Sequence, residues 1–435
     1  MSDDRTSPPT TAPIPLGRAY DTLDRIQAAL QTVADVAWMS PAGAVRRGLD
    51  LVDGVELLVA TDHHERVREA VAPLAVDSRV HESDGNLLTL EIERVATSIR
   101  CIPAEGAGAE LLHATGSSTH LAALRARARE RGHVLDRNGL RSRDGATSIA
   151  SSEESIYASL GLPFIPPELR NGDDEFVAAE RGALPRLVST GDIRGDLHVH
   201  SLWSDGRDTV EAMVVSAIAL GYEYIAITDH SPSSAASRNL TIDGVARQAE
   251  EIANIRTMYP QIAVLHGCEV DILEDGSLDF PDVVLERFDI VLASLHESHG
   301  QDPRTLLRRY ERAMRHPLVT LITHPTNRLF PYRPGYDLDY DRLFQLATET
   351  GTLLEIDGAP SHMDLDASLA RRAVRAGVTL SIDSDCHIAA RLGRQMYMGV
   401  VTARRGWVET ERVLNAKPLA EVQARIASKR TGKAG

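Results

Sequence analysis

The stretch GDLHVHSLWSDG, Gly195 to Gly206, joins a short apolar run to residues that can bind a metal ion. Alternation along a β-strand would point the side chains of His198 and His200 to the same side. Asp205 follows shortly after, in a segment whose glycine and serine predict a turn. Two histidines on one strand are more often structural than functional, so their meaning depends on the rest of the chain.

Similar apolar runs recur through the chain after Gly195, separated by segments with helical apolar spacing. This alternation predicts repeated βα units. Seven consecutive buried strands joined by helices predict an α/β fold with a distorted (β/α)7 barrel, related to the eight-stranded type. The runs are GDLHVH (195–200), YIAITDH (224–230), AVLHGCEVDIL (263–273), DIVLASLH (289–296), VTLITHP (319–325), LLEID (353–357) and LSIDSDCH (380–387).

Six of these seven runs, all except LLEID, supply a histidine, aspartate or glutamate as a candidate ligand. In an α/β barrel the carboxyl ends of all strands meet at one face, where the active site lies. The sequence therefore predicts that these side chains converge on one pocket, which separate structural roles would not explain. We call the following residues the ligand set: His198, His200, Asp205, His230, Glu269, His296, His324, Asp385 and His387.

Imidazole and carboxylate ligands without thiolates suit zinc, manganese or iron(II). One tetrahedral ion uses about four ligands, so the ligand set predicts two or three divalent ions. Sites with several metal ions activate water and stabilise the oxygens of a phosphoryl group, which predicts phosphoester hydrolysis. Among the ligand set, His198, His200, Glu269 and Asp385 are the predicted catalytic residues.

Residues 195–410 resemble the polymerase-and-histidinol-phosphatase (PHP) domain, in the form attached to bacterial family X DNA polymerases. The blocks GDLHVHSLWSDG, YEYIAITDHS, GCEVDILEDGSLDFPD, ASLHES, HPTNRL and ARRGW carry the resemblance in order. It implies a three-metal cluster held by the ligand set, with Glu269 as the bridging glutamate, and 3′-5′ exonuclease activity. Asp357 and His362 stand where this form more often has asparagine and arginine, and Cys386 where alanine is usual.

Residues 18–165 mix helix and strand patterns and resemble the palm and thumb of family X polymerases, an α+β region. In SPAGAVRRGLDLVDGVELLVATD (40–62), Gly54 and Glu56 occupy the positions of the two paired aspartates, and Ser98 that of the third. Ala44 replaces the usual serine. A two-metal site cannot be rebuilt from one carboxylate, so we expect no polymerase activity. The sequence begins at the palm, and we expect the helix-hairpin-helix and fingers regions to be lacking.

The thumb-like block contains seven arginines between Arg125 and Arg143, against Glu130 and Asp136. Arg125, Arg127 and Arg129 on one helix could contact a nucleic-acid backbone. A solvent-exposed face of an amphipathic helix explains the same pattern equally well.

Composition excludes several other classes of protein. The net charge of −15 argues against a general nucleic-acid coat, and no apolar stretch is long enough to span a membrane. Three widely spaced cysteines predict free thiols in a cytoplasmic protein. We expect a disordered segment at 1–17, a degenerate palm/thumb domain at 18–165, a linker at 166–194 and the phosphoesterase domain at 195–435.

Three functions remain open from the sequence, and the oligomeric state is undetermined. The first is 3′-5′ exonuclease or 3′-end processing of DNA. The second is hydrolysis of a small phosphorylated molecule, as in the histidinol-phosphatase branch. The third is a non-catalytic nucleic-acid-binding scaffold, which the filled ligand set disfavours.

Overall fold

The computed structural model describes residues 12–31, 33–34, 36–76, 79–83, 86–142, 148–330 and 332–432. The chain divides into two compact units, Met1–Leu184 and Pro185–Gly435. Within the described part, the helices are too short or too polar to cross a lipid bilayer.

The described residues of the first unit form three sheets. A five-stranded sheet has the order β2-β4-β7-β6-β5, and its central pair β4–β7 is parallel. The strands are β1 (Ile14–Pro15), β2 (Trp38–Pro41), β3 (Leu51–Val52), β4 (Val55–Ala60), β5 (Val80–Ser83), β6 (Leu87–Ile92), β7 (Val95–Ile102), β8 (His133–Asp136), β9 (Gly139–Ser142) and β10 (Ser148–Ile149). The helices are α1 (Leu16–Leu30), α2 (Gly43–Arg46), α3 (His64–Val71), α4 (Ala107–Thr115), α5 (Ser118–Glu130), α6 (Glu153–Ser159) and α7 (Glu175–Glu180).

The second unit is a seven-stranded parallel sheet whose strands follow one another in chain order, from β11 to β17. They are β11 (Gly195–Asp196), β12 (Tyr224–Ile227), β13 (Ala263–Asp271), β14 (Ile290–Ser294), β15 (Val319–Ile322), β16 (Leu353–Asp357) and β17 (Leu380–Asp383). The helices are α8 (Val210–Ala219), α9 (Ile242–Met258), α10 (Asp282–Leu285), α11 (Pro303–Arg315), α12 (Tyr340–Thr350), α13 (Ala367–Arg375), α14 (Leu392–Arg405) and α15 (Leu419–Arg430).

The first and last strands nearly close this sheet into a barrel. Val199 forms a parallel bridge with Cys386, and the amide of His200 donates to the Cys386 carbonyl at 3.0 Å. The predicted distorted (β/α)7 barrel, preceded by a smaller α+β region, is confirmed.

Side chains inside the barrel change from apolar to polar along the strands. At one end Tyr224, Ile290, Leu321 and Leu353 pack in an apolar cluster that includes Val422 of α15. Toward the carboxyl ends of the barrel strands, the buried residues include Glu269, Ser294, Thr323, Glu355 and Asp383. The apolar end and the surrounding helices stabilise the barrel, so polar side chains can occupy its carboxyl end, where active sites lie in this kind of fold.

Parts of the segments expected to be disordered (1–17) and to form a linker (166–194) make ordered contacts within the first unit. Residues 1–11 of the expected disordered segment lie outside the described residues, whereas Ile14–Pro15 pair with β3 and Leu16 is fully buried. Residues 166–184 group with the first unit, and buried Arg170 forms an ion pair with Glu153 at 2.6 Å. Apolar contacts at 14–16 and this buried ion pair hold segments that composition alone predicts to be loose. The exact domain limits stay a prediction.

Candidate metal centre

Glu269 lies at the centre of the carboxyl end of the barrel and is fully buried. Its two carboxylate oxygens face different histidines. Oε1 lies 2.9 Å from Nε2 of His324 and 3.5 Å from Nε2 of His296. Oε2 lies 2.8 Å from Nδ1 of His230, 3.3 Å from Nε2 of His198 and 3.4 Å from Nε2 of His200. A carboxylate placed in this way can bridge two metal ions.

A second group of donors surrounds His200. Its ring stacks on the rings of His230 and His387, with centroids 4.3 Å apart in both pairs. Oδ1 of Asp205 lies 3.2 Å from Nε2 of His387 and 3.6 Å from Nε2 of His230. These four residues each offer one ligand atom, and the atoms lie within 4.8 Å of one another.

A third group comprises His198, His200 and Asp385. Oδ1 of Asp385 lies 3.0 Å from Nε2 of His200 and 3.6 Å from Nε2 of His198. Every member of the ligand set thus belongs to one contiguous cluster at the end of the barrel. Asp385 and His324 adopt positive φ angles of 48° and 26°, a costly backbone conformation that is found mostly at functional sites.

Several histidines are oriented by hydrogen bonds through Nδ1. Nδ1 of His198 donates to Oε1 of Glu355 at 2.7 Å, and Nδ1 of His296 donates to Oδ1 of Asp271 at 2.8 Å. Nδ1 of His387 donates to the carbonyl of Asp385 at 2.9 Å. These bonds place the proton on Nδ1 and leave the Nε2 lone pair available toward the centre, as metal-binding histidines require.

The electrostatics favour bound positive charge. Burial opposes ionisation of Glu269, but the imidazoles of His230 and His198 lower its pKa well below the ordinary value. Burial, with the neighbouring imidazoles of His230 and His387, lowers the pKa of His200 to about 4. Burial is outweighed at His387, where the Asp385 carboxylate raises the pKa to about 9. An ionised glutamate and a neutral His200 are in the forms that bind metal ions, which would displace protons from His387.

The residues present fit a divalent metal ion. Nε2 of His198 and Nε2 of His200 lie only 3.0 Å apart, a contact that needs a proton or a cation between two lone pairs. Among the described residues, Oε2 of Glu269 and Nδ1 of His230 lie 2.8 Å apart, and Oδ1 of Asp205 lies 3.2 Å from Nε2 of His387, yet none of these three buried oxygen and nitrogen atoms of Glu269, His230 and Asp205 forms a hydrogen bond of favourable geometry. Unpaired buried polar atoms are costly, and coordination of a cation would satisfy them.

Sequence reasoning missed the residues that orient the ligand set. The run LLEID was the one without an assigned ligand, yet its fully buried Glu355 contacts His198 and accepts from the amide of His324 at 2.6 Å. Asp229, also fully buried, accepts from Ser201, Ser204 and Gln248. A charged residue inside an otherwise apolar strand was the available signal for Glu355.

The predicted lost polymerase positions lie together in the first unit. Glu56 on β4 pairs in register with Ser98 on β7, and both line a cavity of about 510 Å³ together with Gly54. Burial raises the pKa of Glu56. A Cβ at Gly54 would lie 2.3 Å from the carbonyl oxygen of Ala96, so the backbone leaves no space for an aspartate there.

The predicted basic surface on α5 is smaller than the sequence indicates. Nε of Arg127 donates to the carbonyl of Leu160 at 2.7 Å, and its guanidinium forms an ion pair with Glu180. Arg125 and Arg129 are exposed and form no ion pair among the described residues. Arg127 is therefore held inside the unit, and Arg125 and Arg129 remain candidates for nucleic-acid contact.

Comparison with known proteins covers both units. The family model described as the DNA polymerase beta thumb matches residues 110–171, and the PHP domain model matches residues 196–359. The chain is 37% identical to the DNA polymerase/3′-5′ exonuclease PolX of Bacillus subtilis (strain 168), over 94% of this chain and 72% of the relative. It is 30% identical to a probable phosphatase of Syntrophotalea carbinolica, over 47% of this chain and 84% of the relative. A probable phosphatase of Acetivibrio thermocellus is 32% identical, over 46% of this chain and 81% of the relative.

Proposed function

The chain belongs to the family of the bacterial DNA polymerase/3′-5′ exonuclease PolX, and from that we propose that its barrel trims or processes the 3′ ends of DNA. It contains a PHP domain and is a hydrolase that acts on phosphoester bonds. The observation that carries the proposal is the position of Glu269, whose two oxygens face separate groups of histidines within 3.5 Å.

We propose that the whole ligand set holds two or three divalent ions, of zinc, manganese or iron. Such ions, when bound, activate water and neutralise the charge that develops on phosphoryl oxygens. The chain's own residues fix the donors: Glu355 and Asp271 orient His198 and His296, and Glu269 joins the groups on either side of it. Because the centre lies at the end of the barrel, a phosphate at its edge would meet His387, Asp205 and His296, which are partly exposed.

DNA is the substrate that the first unit supports. It matches the DNA polymerase beta thumb over 110–171, and exposed Arg125 and Arg129 stand one turn apart on α5. Arginines at this spacing can contact successive phosphates of a nucleic-acid backbone. We propose that this unit binds DNA without polymerising it, because Gly54 and Ser98 carry no carboxylate for a catalytic metal ion.

Hydrolysis of a small phosphate ester is the second candidate. The relatives that support it, the probable phosphatases, match about half of this chain over most of their own length. His362 favours it too, because the polymerase-linked form more often has an arginine there, able to hold a DNA phosphate. A non-catalytic scaffold would have no use for so many buried, oriented donors.

The three cysteines are free and buried, which supports a reducing, cytoplasmic location.

A substrate panel separates these functions. The full chain, supplied with Mn²⁺, is given 5′-labelled single-stranded, recessed and 3′-phosphorylated DNA, and in parallel a set of sugar phosphates and p-nitrophenyl phosphate. The proposal predicts shortening or dephosphorylation of DNA from the 3′ end at a higher kcat/KM than for any small ester. Faster turnover of a small ester would replace it with the second candidate, and no turnover of any substrate would refute both.

A further inference from the structure

A group of three donors adjoins the ligand set on the side of β16. Asp357, the last residue of β16, His362 in the following loop, and Asp385 each offer one ligand atom, and these atoms lie within 4.8 Å of one another. Only Asp385 belongs to the ligand set. Asp357 and His362 are also the two positions at which the sequence departs from the asparagine and arginine of the polymerase-linked pattern.

The atoms of this group are positioned to bind a cation. Nδ1 of His362 donates to the carbonyl of Arg328 at 2.9 Å, which places the proton on Nδ1 and leaves the Nε2 lone pair unprotonated. Asp357 is fully buried: its Oδ1 accepts from the amide of Ala359 at 2.6 Å, and its Oδ2 has no hydrogen-bond partner among the described residues. The His362 ring also stacks on that of His324, with centroids 5.5 Å apart.

The charge around Asp357 is unbalanced. The fully buried carboxylate of Asp357 lies within 4.8 Å of that of Asp385, and no arginine or lysine in the described ranges forms an ion pair with it. A buried carboxylate oxygen without a partner is unfavourable, and like-charged neighbours add to that cost. A divalent cation would coordinate the unpaired oxygen and balance the negative charge of the two carboxylates, whereas the asparagine of the related pattern would remove the charge of Asp357 altogether.

We propose that Asp357, His362 and Asp385 bind a further divalent cation, which shares Asp385 with the ligand set. One imidazole and two carboxylates suit a borderline ion such as Zn²⁺ or Mn²⁺. Three protein ligands leave coordination positions open, so this ion would present an open face next to the proposed hydrolytic centre. Where the related pattern places an arginine to meet a phosphate, this chain would place a metal ion. The inference rests on the proposed function of the ligand set.

Equilibrium dialysis tests the proposal by counting bound ions. The full chain and the variants Asp357→Asn and His362→Arg are dialysed against MnCl₂ and, separately, ZnCl₂, and metal and protein are quantified on both sides. The variants restore the residues of the related pattern, so both are expected to fold. The proposal predicts one ion per chain fewer in each variant than in the wild type, with the remaining ions retained. Equal counts in all three proteins would overturn it.

Two controls separate this outcome from failure of the proposed function. His316→Gln changes a histidine that precedes β15 and contacts Asp282 at 3.2 Å. It belongs to none of the candidate metal groups among the described residues, so the ion count of this variant should equal that of the wild type. Glu269→Gln should lose ions of the ligand set. If Glu269→Gln binds as many ions as the wild type, the proposed function fails. If only the Asp357 and His362 variants leave the count unchanged, only the further site fails.

Discussion

The end of the barrel and the cavity of the palm-like sheet use the same structural device with opposite results. Both place side chains at neighbouring parallel strands, β11 to β17 in one unit and β4 with β7 in the other. In the barrel the donors are present, and Glu355 and Asp271 orient two of them, His198 and His296. In the palm-like sheet, Gly54 and Ser98 stand at two of the three positions that the sequence predicts to have lost a carboxylate. In both units the fold brings the ends of neighbouring strands together, and the identity of the side chains there determines whether the site can bind metal ions.

At Gly54 the backbone of β7 excludes a side chain. A Cβ at Gly54 would clash with the carbonyl of Ala96 at 2.3 Å, so the aspartate cannot simply be restored. The comparison therefore predicts that substitutions at the barrel end abolish activity, and that an aspartate introduced at position 54 is not tolerated.

The largest effect is expected at His200. Its Nε2 contacts Asp385 at 3.0 Å and Glu269 at 3.4 Å, so His200→Ala removes a donor common to two groups of the candidate centre. We expect kcat/KM for phosphoester hydrolysis to fall at least about 1000-fold, or about 4 kcal/mol of transition-state stabilisation. Steady-state kinetics with Mn²⁺ measures it.

Cys386→Ala is the matched control for this prediction. The thiol lies in the same loop as Asp385, but it donates to the carbonyl of Ile388 at 3.0 Å. Its removal should change activity less than about threefold, since conservative core changes without a catalytic contact cost little. Equal losses in both variants would mean that the loop, and not the imidazole, carries the activity.

A smaller loss is expected at Glu355, which contacts His198 without belonging to the ligand set. Glu355→Gln keeps the shape but weakens the hydrogen bond that holds Nδ1 of His198. Loss of such an orienting partner costs about 10- to 100-fold in metal affinity or activity. Metal titrations should show weaker binding with unchanged stoichiometry, and an unchanged affinity would contradict the orienting role.

In the palm, Gly54→Ala should destabilise the first unit. The added methyl group meets the Ala96 carbonyl, and overpacking of this kind costs about 1–3 kcal/mol. Chemical denaturation of the full chain measures the change. Gly106→Ala is the control, because a Cβ there meets nothing within 4 Å, and its effect should stay within about 0.5 kcal/mol. Polymerase activity in a Gly54→Asp, Glu56→Asp, Ser98→Asp triple variant would contradict the steric exclusion of an aspartate at position 54.

The smallest effect is expected on α5. Reversing Arg125 and Arg129 to glutamate should weaken DNA binding and lower the salt dependence of log K by about 2, one for each lost phosphate contact. Mobility shifts at several salt concentrations measure this. The reversal of exposed Arg287 and Arg308 in the barrel unit changes net charge equally and serves as control. If both double variants lose DNA affinity equally, Arg125 and Arg129 make no specific contact with DNA and α5 is an ordinary solvent-exposed face.

The sequence predicts the barrel and its ligand set because strand ends converge in this fold and imidazoles are rare enough to stand out. All seven apolar runs become strands in the expected order. The sequence pattern does not predict that 87–102 divides into two strands, β6 and β7, joined as a hairpin. The turn between them consists of Glu93 and Arg94, which both adopt positive φ although neither is a usual turn residue. Glu355 and the pairing of Arg127 with Glu180 depend on contacts between distant parts of the chain, which composition and spacing do not encode.

The central claim is that Glu269 joins the donors of a metal-dependent phosphoesterase, and Glu269→Gln tests it most directly. The change keeps the size of the side chain but removes its charge and one of the two acceptor oxygens that face the histidines. With 5′-labelled DNA and Mn²⁺, the wild type should shorten the strand from its 3′ end and stop when EDTA is added. Glu269→Gln should be at least about 1000-fold slower while unfolding at a similar temperature. Hydrolysis at the wild-type rate by Glu269→Gln, or in the presence of EDTA, would contradict the account.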